Sequence, residues 1–84
     1  MGKRTSDEAR IYRIIAGVID TNIEEVRKDS YLVKDLEFDD VYMVELVFGL
    51  EDAYNISIDD REVDEWKKVS DVVECVNNIL HEEA

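Results

Sequence analysis

The sequence predicts an all-α fold: a single domain over residues 1–84, built as a four-helix bundle with a long loop after helix I and a short helix III. Three observations predict it. Apolar residues recur at helical spacing in three long segments. Helix-start residues precede those segments. Strand signals are weak, because the β propensity of Val72-Val73 is outweighed by the helical spacing around it. A chain of 84 residues has room for one domain, and one this short buries roughly 60% of its unfolded surface, so the core is small. Its 45% hydrophobic content is that of a globular chain and too high for a disordered one.

Helix I is expected over about residues 6–19. Thr5 followed by Glu8 is a capping-box pattern. Ile11, Ile14, Ile15, Val18 and Ile19 then line one helical face. Asp20, Thr21 and Asn22 stop it. A loop follows through Asp35, in which Ile23, Val26, Tyr31, Leu32 and Leu36 are spaced irregularly and are expected to fold back onto the core. Helix II runs from Asp39 or Asp40 to Tyr54, with Asp39 as its cap and acids suited to the positive end of the dipole. It carries two apolar stripes: Met43, Leu46, Val47, Leu50 and Tyr54 form one, and Val41, Val44 and Phe48 form another. A helix in a small bundle needs one core-facing stripe. The second is either core on a wide face or an exposed contact patch bordered by Glu45, Glu51 and Asp52. Asn55 ends the helix, and Ile56 and Ile58 sit in an extended joint. Asp59 with Glu62 is another capping pattern and opens a short helix over about residues 60–66. Ser70 is expected to cap the last helix, whose apolar face is Val72, Val73, Val76, Ile79 and Leu80.

Twenty-two acidic against ten basic residues give a net charge of −12. Residues 35–65 hold twelve acids and one base, Arg61, so a net −11 lies in the middle third. Nucleic acid and anionic membrane surfaces carry the same sign and are excluded as expected partners. No apolar run reaches the ~18–20 residues of a membrane span, and no apolar h-region follows Met1–Arg4. One cysteine, Cys75, cannot form an internal disulfide or a zinc site. With one histidine and no proline, the composition suits a cytoplasmic or organelle-matrix protein.

Catalytic patterns are missing, and an enzyme is not expected. There is no GxxxxGK[ST] and no GxGxxG. His81 reads as a surface residue near a frayed terminus. Cys75 reads as a small buried hydrophobe, with no Lys or Arg within a turn to activate its thiol. Asp35-x-Glu37-x-Asp39 begins like a calcium loop, but no glycine follows and the segment enters a helix. No dedicated metal site is expected; an acidic calcium-responsive interaction module is the alternative from a different class.

The segment from Asp35 to Val47, DLEFDDVYMVELV, resembles the signature of acyl carrier proteins, roughly D-L-G-x-D-S-L-D-x-V-E-L-V. The likeness continues through Leu50-Glu51-Asp52-Ala53-Tyr54 and Ile58, and through Lys68-Val69-Ser70-Asp71-Val72, so it spans about residues 8 to 80. It implies the element order already read from the periodicity. In that family a serine hydroxyl carries phosphopantetheine through a phosphodiester. The position matching that serine is Asp40, and a carboxylate does not give this stable linkage. Glu37 stands for the usual Gly, Val41 for Leu and Tyr42 for Asp. Ser30, in Asp29-Ser30-Tyr31-Leu32, resembles the attachment motif but precedes no acidic helix, and is expected to be a turn residue.

The resemblance implies an acyl-carrier-like module of fatty acid or polyketide biosynthesis, a monomer that docks basic faces of acyl-transfer or synthase enzymes. Its implied partner-binding residues are Asp35, Asp39, Val41, Val44, Glu45, Phe48, Glu51 and Asp52. With Asp40 in the serine's place, no cofactor is expected. The alternative is a functional carrier captured as a Ser-to-Asp variant, whose native serine would hold phosphopantetheine. The core stripe of helix II would face the space where carriers shelter an acyl chain, and Phe38, Tyr54 and Trp66 are large enough to fill it.

Overall fold

A computed structural model describes residues 5–83, with side chains from 8 to 81. The expected Thr5–Glu8 capping box involves the Thr5 side chain and so lies outside the described residues. Four α-helices appear in chain order: α1 (Thr5–Val18), α2 (Asp40–Tyr54), α3 (Asp60–Asp64) and α4 (Val69–Glu83). A single 3-10 turn, Ile23–Glu25, lies in the loop after α1. The expected bounds of the first and third helices shift slightly, to 5–18 and 60–64. Among the described residues the only β pairing is an isolated bridge between Tyr31 and Lys68.

The helices end where local chemistry stops them. After α1, Asp20 takes a left-handed φ of 56°. Its N–H donates to the Gly17 carbonyl, and the Thr21 N–H donates to the Ala16 carbonyl at 2.9 Å. This is a Schellman-type stop, which satisfies carbonyls the helix leaves open. Asn55, φ 56°, closes α2 in the same conformation, with its N–H on the Glu51 carbonyl. At the start of α2, Asp39 Oδ1 accepts from the Tyr42 N–H at 2.9 Å, the cap its sequence position implies. Asp59 caps α3 through the Arg61 N–H.

The start of α4 corrects one expectation. The helix begins at Val69, so Ser70 lies inside it and is not its cap. Asp71 Oδ2 instead reaches back and accepts from the N–H groups of Lys67 and Lys68, at 2.9 and 3.0 Å. These hydrogen bonds hold the Asp71 carboxyl below its ordinary value. The Ser70 N–H donates to the Lys28 carbonyl.

The core is one cluster drawn from α1, α2, α4 and the loops, with half-buried Val63 of α3 packed against it. Ile11 and Ile15 of α1, Leu46 and Leu50 of α2, and Val69, Val72 and Val76 of α4 are fully buried. Ile79 and Leu80 at the end of α4 are half-buried. Helices α1 and α2 approach closely at Gly49, where an added Cβ would stand 3.3 Å from Ile14 Cγ2. Val26, Leu32 and Phe38 of the long loop are buried and Leu36 packs against the cluster, but Ile23 and Tyr31 stay exposed, against expectation. The loop holds its shape by pairing with the α3–α4 joint. Leu32 N–H donates to the Lys67 carbonyl and Val69 N–H to the Ser30 carbonyl, both at 2.9 Å. These bonds leave Tyr31 on the outside of the pairing.

Candidate functional site: an apolar groove on an acidic helix

The two stripes of α2 separate cleanly. Leu46 and Leu50 are buried, while Met43, Val47 and Tyr54 are half-buried against the core. The other stripe faces outward: Val41 is 64% exposed, Val44 51% and Phe48 65%. A phenyl ring left mostly in water contributes little to folding, so the bundle itself does not explain this stripe. Of the two options the sequence left open, the structure removes core on a wide face: the stripe is exposed.

Two adjoining grooves run along it. One, of about 430 Å³, is lined by Asp40, Val41, Val44, Glu45 and Phe48. The other, of about 380 Å³, lies between α2 and α3; Met43, Val44, Val47, Phe48 and Val63 line it with Asp40 and Asp60. Asp40, Val44 and Phe48 belong to both. Asp40 is exposed and is the first residue of α2. Neither lining contains a hydroxyl or a thiol. The phenol of Tyr42 faces elsewhere: its ring packs edge-on to Phe38, with centroids 6.0 Å apart, and it lines a different cleft.

The remaining expected site residues divide. Asp39 is exposed beside the groove, with one oxygen used as the cap. Asp52 is exposed on the last turns of α2. Glu51 is half-buried, and its Oε2 accepts from the Ile58 N–H at 2.8 Å, tying α2 to the joint before α3. Asp35 sits in the loop, where its Oδ2 accepts from the Tyr31 N–H. Met43 and Val47, which the sequence assigned to the core stripe, and Asp60 and Val63, which fall in the expected short helix, are groove residues as well. The signal for Asp60 was its place in the acidic run; Val63 of the five-residue α3 carries no periodic pattern.

The residues weighed for chemistry are structural. Ser30 is a turn residue whose Oγ accepts from the Arg27 N–H. Cys75 is 8% exposed, and its thiol donates to Glu62 Oε1 at 2.8 Å, linking α4 to α3. Burial pushes the thiol up to about 12, and the neighbouring carboxylate adds to the shift. Among the described residues no group of three or more His, Cys, Asp or Glu is placed to hold a metal ion. Nor is any helix of the described residues long and apolar enough to cross a membrane.

Comparison with known proteins agrees with this geometry. Residues 9–76 match the family model described as "Phosphopantetheine attachment site". The chain is 38% identical over 66 residues to the acyl carrier protein of Wolinella succinogenes, covering 79% of this chain and 87% of that one. It is 36% identical over 72 residues to the acyl carrier protein of Desulforapulum autotrophicum, covering 84% and 94%. Its fold superimposes on the crystal structure of the Thermotoga maritima acyl carrier protein with a TM-score of 0.81, at 27% identity, covering 96% of this chain and 94% of that one. The chain therefore belongs to the acyl carrier protein family, carrier proteins that work with biosynthetic enzymes and are not themselves enzymes.

Proposed function

We propose that this chain is a single carrier-fold module of fatty acid or polyketide biosynthesis, a cytoplasmic monomer that docks basic faces of acyl-transfer or synthase enzymes and carries no phosphopantetheine. The observation that carries this reading is the exposed Val41–Val44–Phe48 stripe with Asp40 at its head. Apolar anchors ringed by Asp39, Asp40 and Glu45 suit a partner with a shallow apolar ridge among Arg or Lys. Opposite charges steer such an encounter, and rim pairs add little affinity each, so docking is fast, weak and salt-sensitive.

The family's prosthetic group does not fit the residues present. No hydroxyl lines the groove, and the position matching the family's serine is Asp40. A carboxylate attacking the pantetheine-bearing phosphorus of coenzyme A, with the pyrophosphate bond broken and the adenosine bisphosphate half leaving, would give a mixed anhydride, which water cleaves, in place of a lasting phosphodiester.

Incubation with coenzyme A and a promiscuous phosphopantetheinyl transferase tests the reading by intact mass. The chain is expected to keep its mass, and Asp40→Ser to gain one arm. A gain by the unaltered chain, on Ser30 or elsewhere, overturns the reading, and failure of Asp40→Ser to gain removes its claim that the recognition surface is intact.

A further inference from the structure

The acidic groove is not the only unpartnered apolar surface. Tyr31 and Val33, 40% and 66% exposed, form a second one on the long loop. With Lys34, Trp66 and Lys67 they line an apolar depression of about 240 Å³. The charged residues that line it, Lys34 and Lys67, are opposite in sign to those of α2, while the carboxylates of Asp35 and Asp71 beside it are occupied by the backbone N–H groups of Tyr31, Lys67 and Lys68. Lys34 Nζ and Lys68 Nζ lie 5.7 and 5.3 Å from the centre of the Tyr31 ring, so the phenol is flanked by two cations. Arg27 and Lys28 precede the same turn, and the Lys28 carbonyl is bonded to Ser70 across the pairing. Five of the chain's ten basic residues thus come from two short segments, 27–34 and 67–68, that the fold staples together.

This surface is built and not frayed. Three backbone hydrogen bonds join residues 28–32 to residues 67–70, at 2.9, 2.9 and 3.0 Å, and the buried Leu32 and Trp66 anchor each half to the core. Folding gains nothing from gathering lysines around an exposed valine. We propose that Tyr31, Val33, Lys34 and Lys67 form a second docking face, for an acidic protein segment that carries an apolar anchor. Charge complementarity selects the occupant. The anchor fills the depression beside Val33 while its flanking carboxylates meet Lys34, Lys67 and Lys68. A second copy of the chain is disfavoured as occupant, because two bodies of −12 repel far more strongly than one such body repels a short segment bearing a few carboxylates. An anionic membrane, charged over its whole surface, is disfavoured in the same way. The face stands apart from the role assigned to α2. Only α3 and its following turn separate the two, with Val63 in the α2 groove and Trp66 in the basic depression.

The test is an amide-shift titration of the isotopically labelled full chain with a synthetic peptide, a Leu-Phe pair flanked by glutamates. Shifts confined to Tyr31, Val33, Lys34 and residues 66–68 are expected, with apparent affinity falling several-fold as salt is raised. Oligoglutamate without the Leu-Phe pair should bind several-fold more weakly. The double variant Lys34→Glu, Lys67→Glu should lose the shifts while its circular dichroism and its α2 amides stay native. Absent shifts, shifts on α2, equal response to oligoglutamate, or shifts that survive in the folded double variant overturn the proposal. Shifts of the same amides by phosphatidylglycerol vesicles without any by the peptide also overturn it, in favour of a lipid surface.

Discussion

Glu37 is held at φ 61°, where the Cβ of an L-residue crowds the following carbonyl. Its N–H is engaged by the Val33 carbonyl, so the turn before α2 imposes the conformation. The acyl carrier pattern places a glycine here, the residue that adopts this φ without strain. Glu37→Gly is therefore expected to stabilise the fold by about 1 kcal/mol, read as a higher urea midpoint. A lower midpoint would show that the glutamate makes up for its strain elsewhere. Cys75 supplies a pH effect of definite sign. The unfolded thiol ionises near the ordinary 9.0, and the folded one only near about 12. Between those values the unfolded chain releases a proton that the native chain keeps, so stability falls as pH rises through this window and levels off above it. Cys75→Val should lose less stability than the parent between about pH 8 and pH 10.5, measured as the difference in urea midpoints. Equal losses in the two proteins would sink the assignment.

At the scale of the helix, α2 serves two surfaces, and substitutions should separate them. Leu46→Ala opens a fully buried site and is expected to cost about 2–5 kcal/mol. Phe48→Ala removes a larger but mostly exposed side chain and should change stability by no more than about 0.5 kcal/mol in urea titration. A large loss for Phe48→Ala would place that ring in the fold and remove the contact stripe. Both stripes were legible in the sequence because helical periodicity is a property of neighbours three and four apart. Which one faces the core was not legible from periodicity, because that depends on where α1 and α4 pack; the family resemblance assigned it. The caps at Asp39 and Asp59 and the stop at Asn55 were legible for the same local reason. Ser70 misled because Asp71, one residue on, reaches backward to Lys67 and Lys68, a geometry that a forward-reading cap rule does not contain. The bond from Ile58 N–H to Glu51 spans seven residues across a joint, and no short-range pattern announces it. The Lys34–Lys67 face was invisible in sequence for a stronger reason: its halves lie more than thirty positions apart and are brought together by the backbone pairing around the Tyr31–Lys68 bridge.

At the scale of the molecule, the acids of residues 35–65 share a body with principal extents of 34 × 26 × 20 Å. Among the described residues the one ion pair, Arg61 with Asp59 at 4.0 Å, is highly exposed and offsets little of their repulsion. The core contributes apolar burial and the acids oppose compaction, so stability should depend on screening. Raising sodium chloride from about 10 mM to about 1 M shortens the Debye length from about 30 Å, comparable with the molecule, to about 3 Å. At pH 7 the melting temperature is expected to rise over that range, because the native state concentrates like charges that the unfolded chain spreads apart. Near the sequence isoelectric point of about 4.3 the net charge vanishes, and the same salt series should move the melting temperature much less. The contrast isolates repulsion from any general effect of salt on apolar burial, which operates at both pH values. Equal rises at both pH values would place the salt effect in the core. A fall at pH 7 would show that attractive pairs, such as those between the lysine face and neighbouring carboxylates, outweigh the crowded acids of α2 and α3.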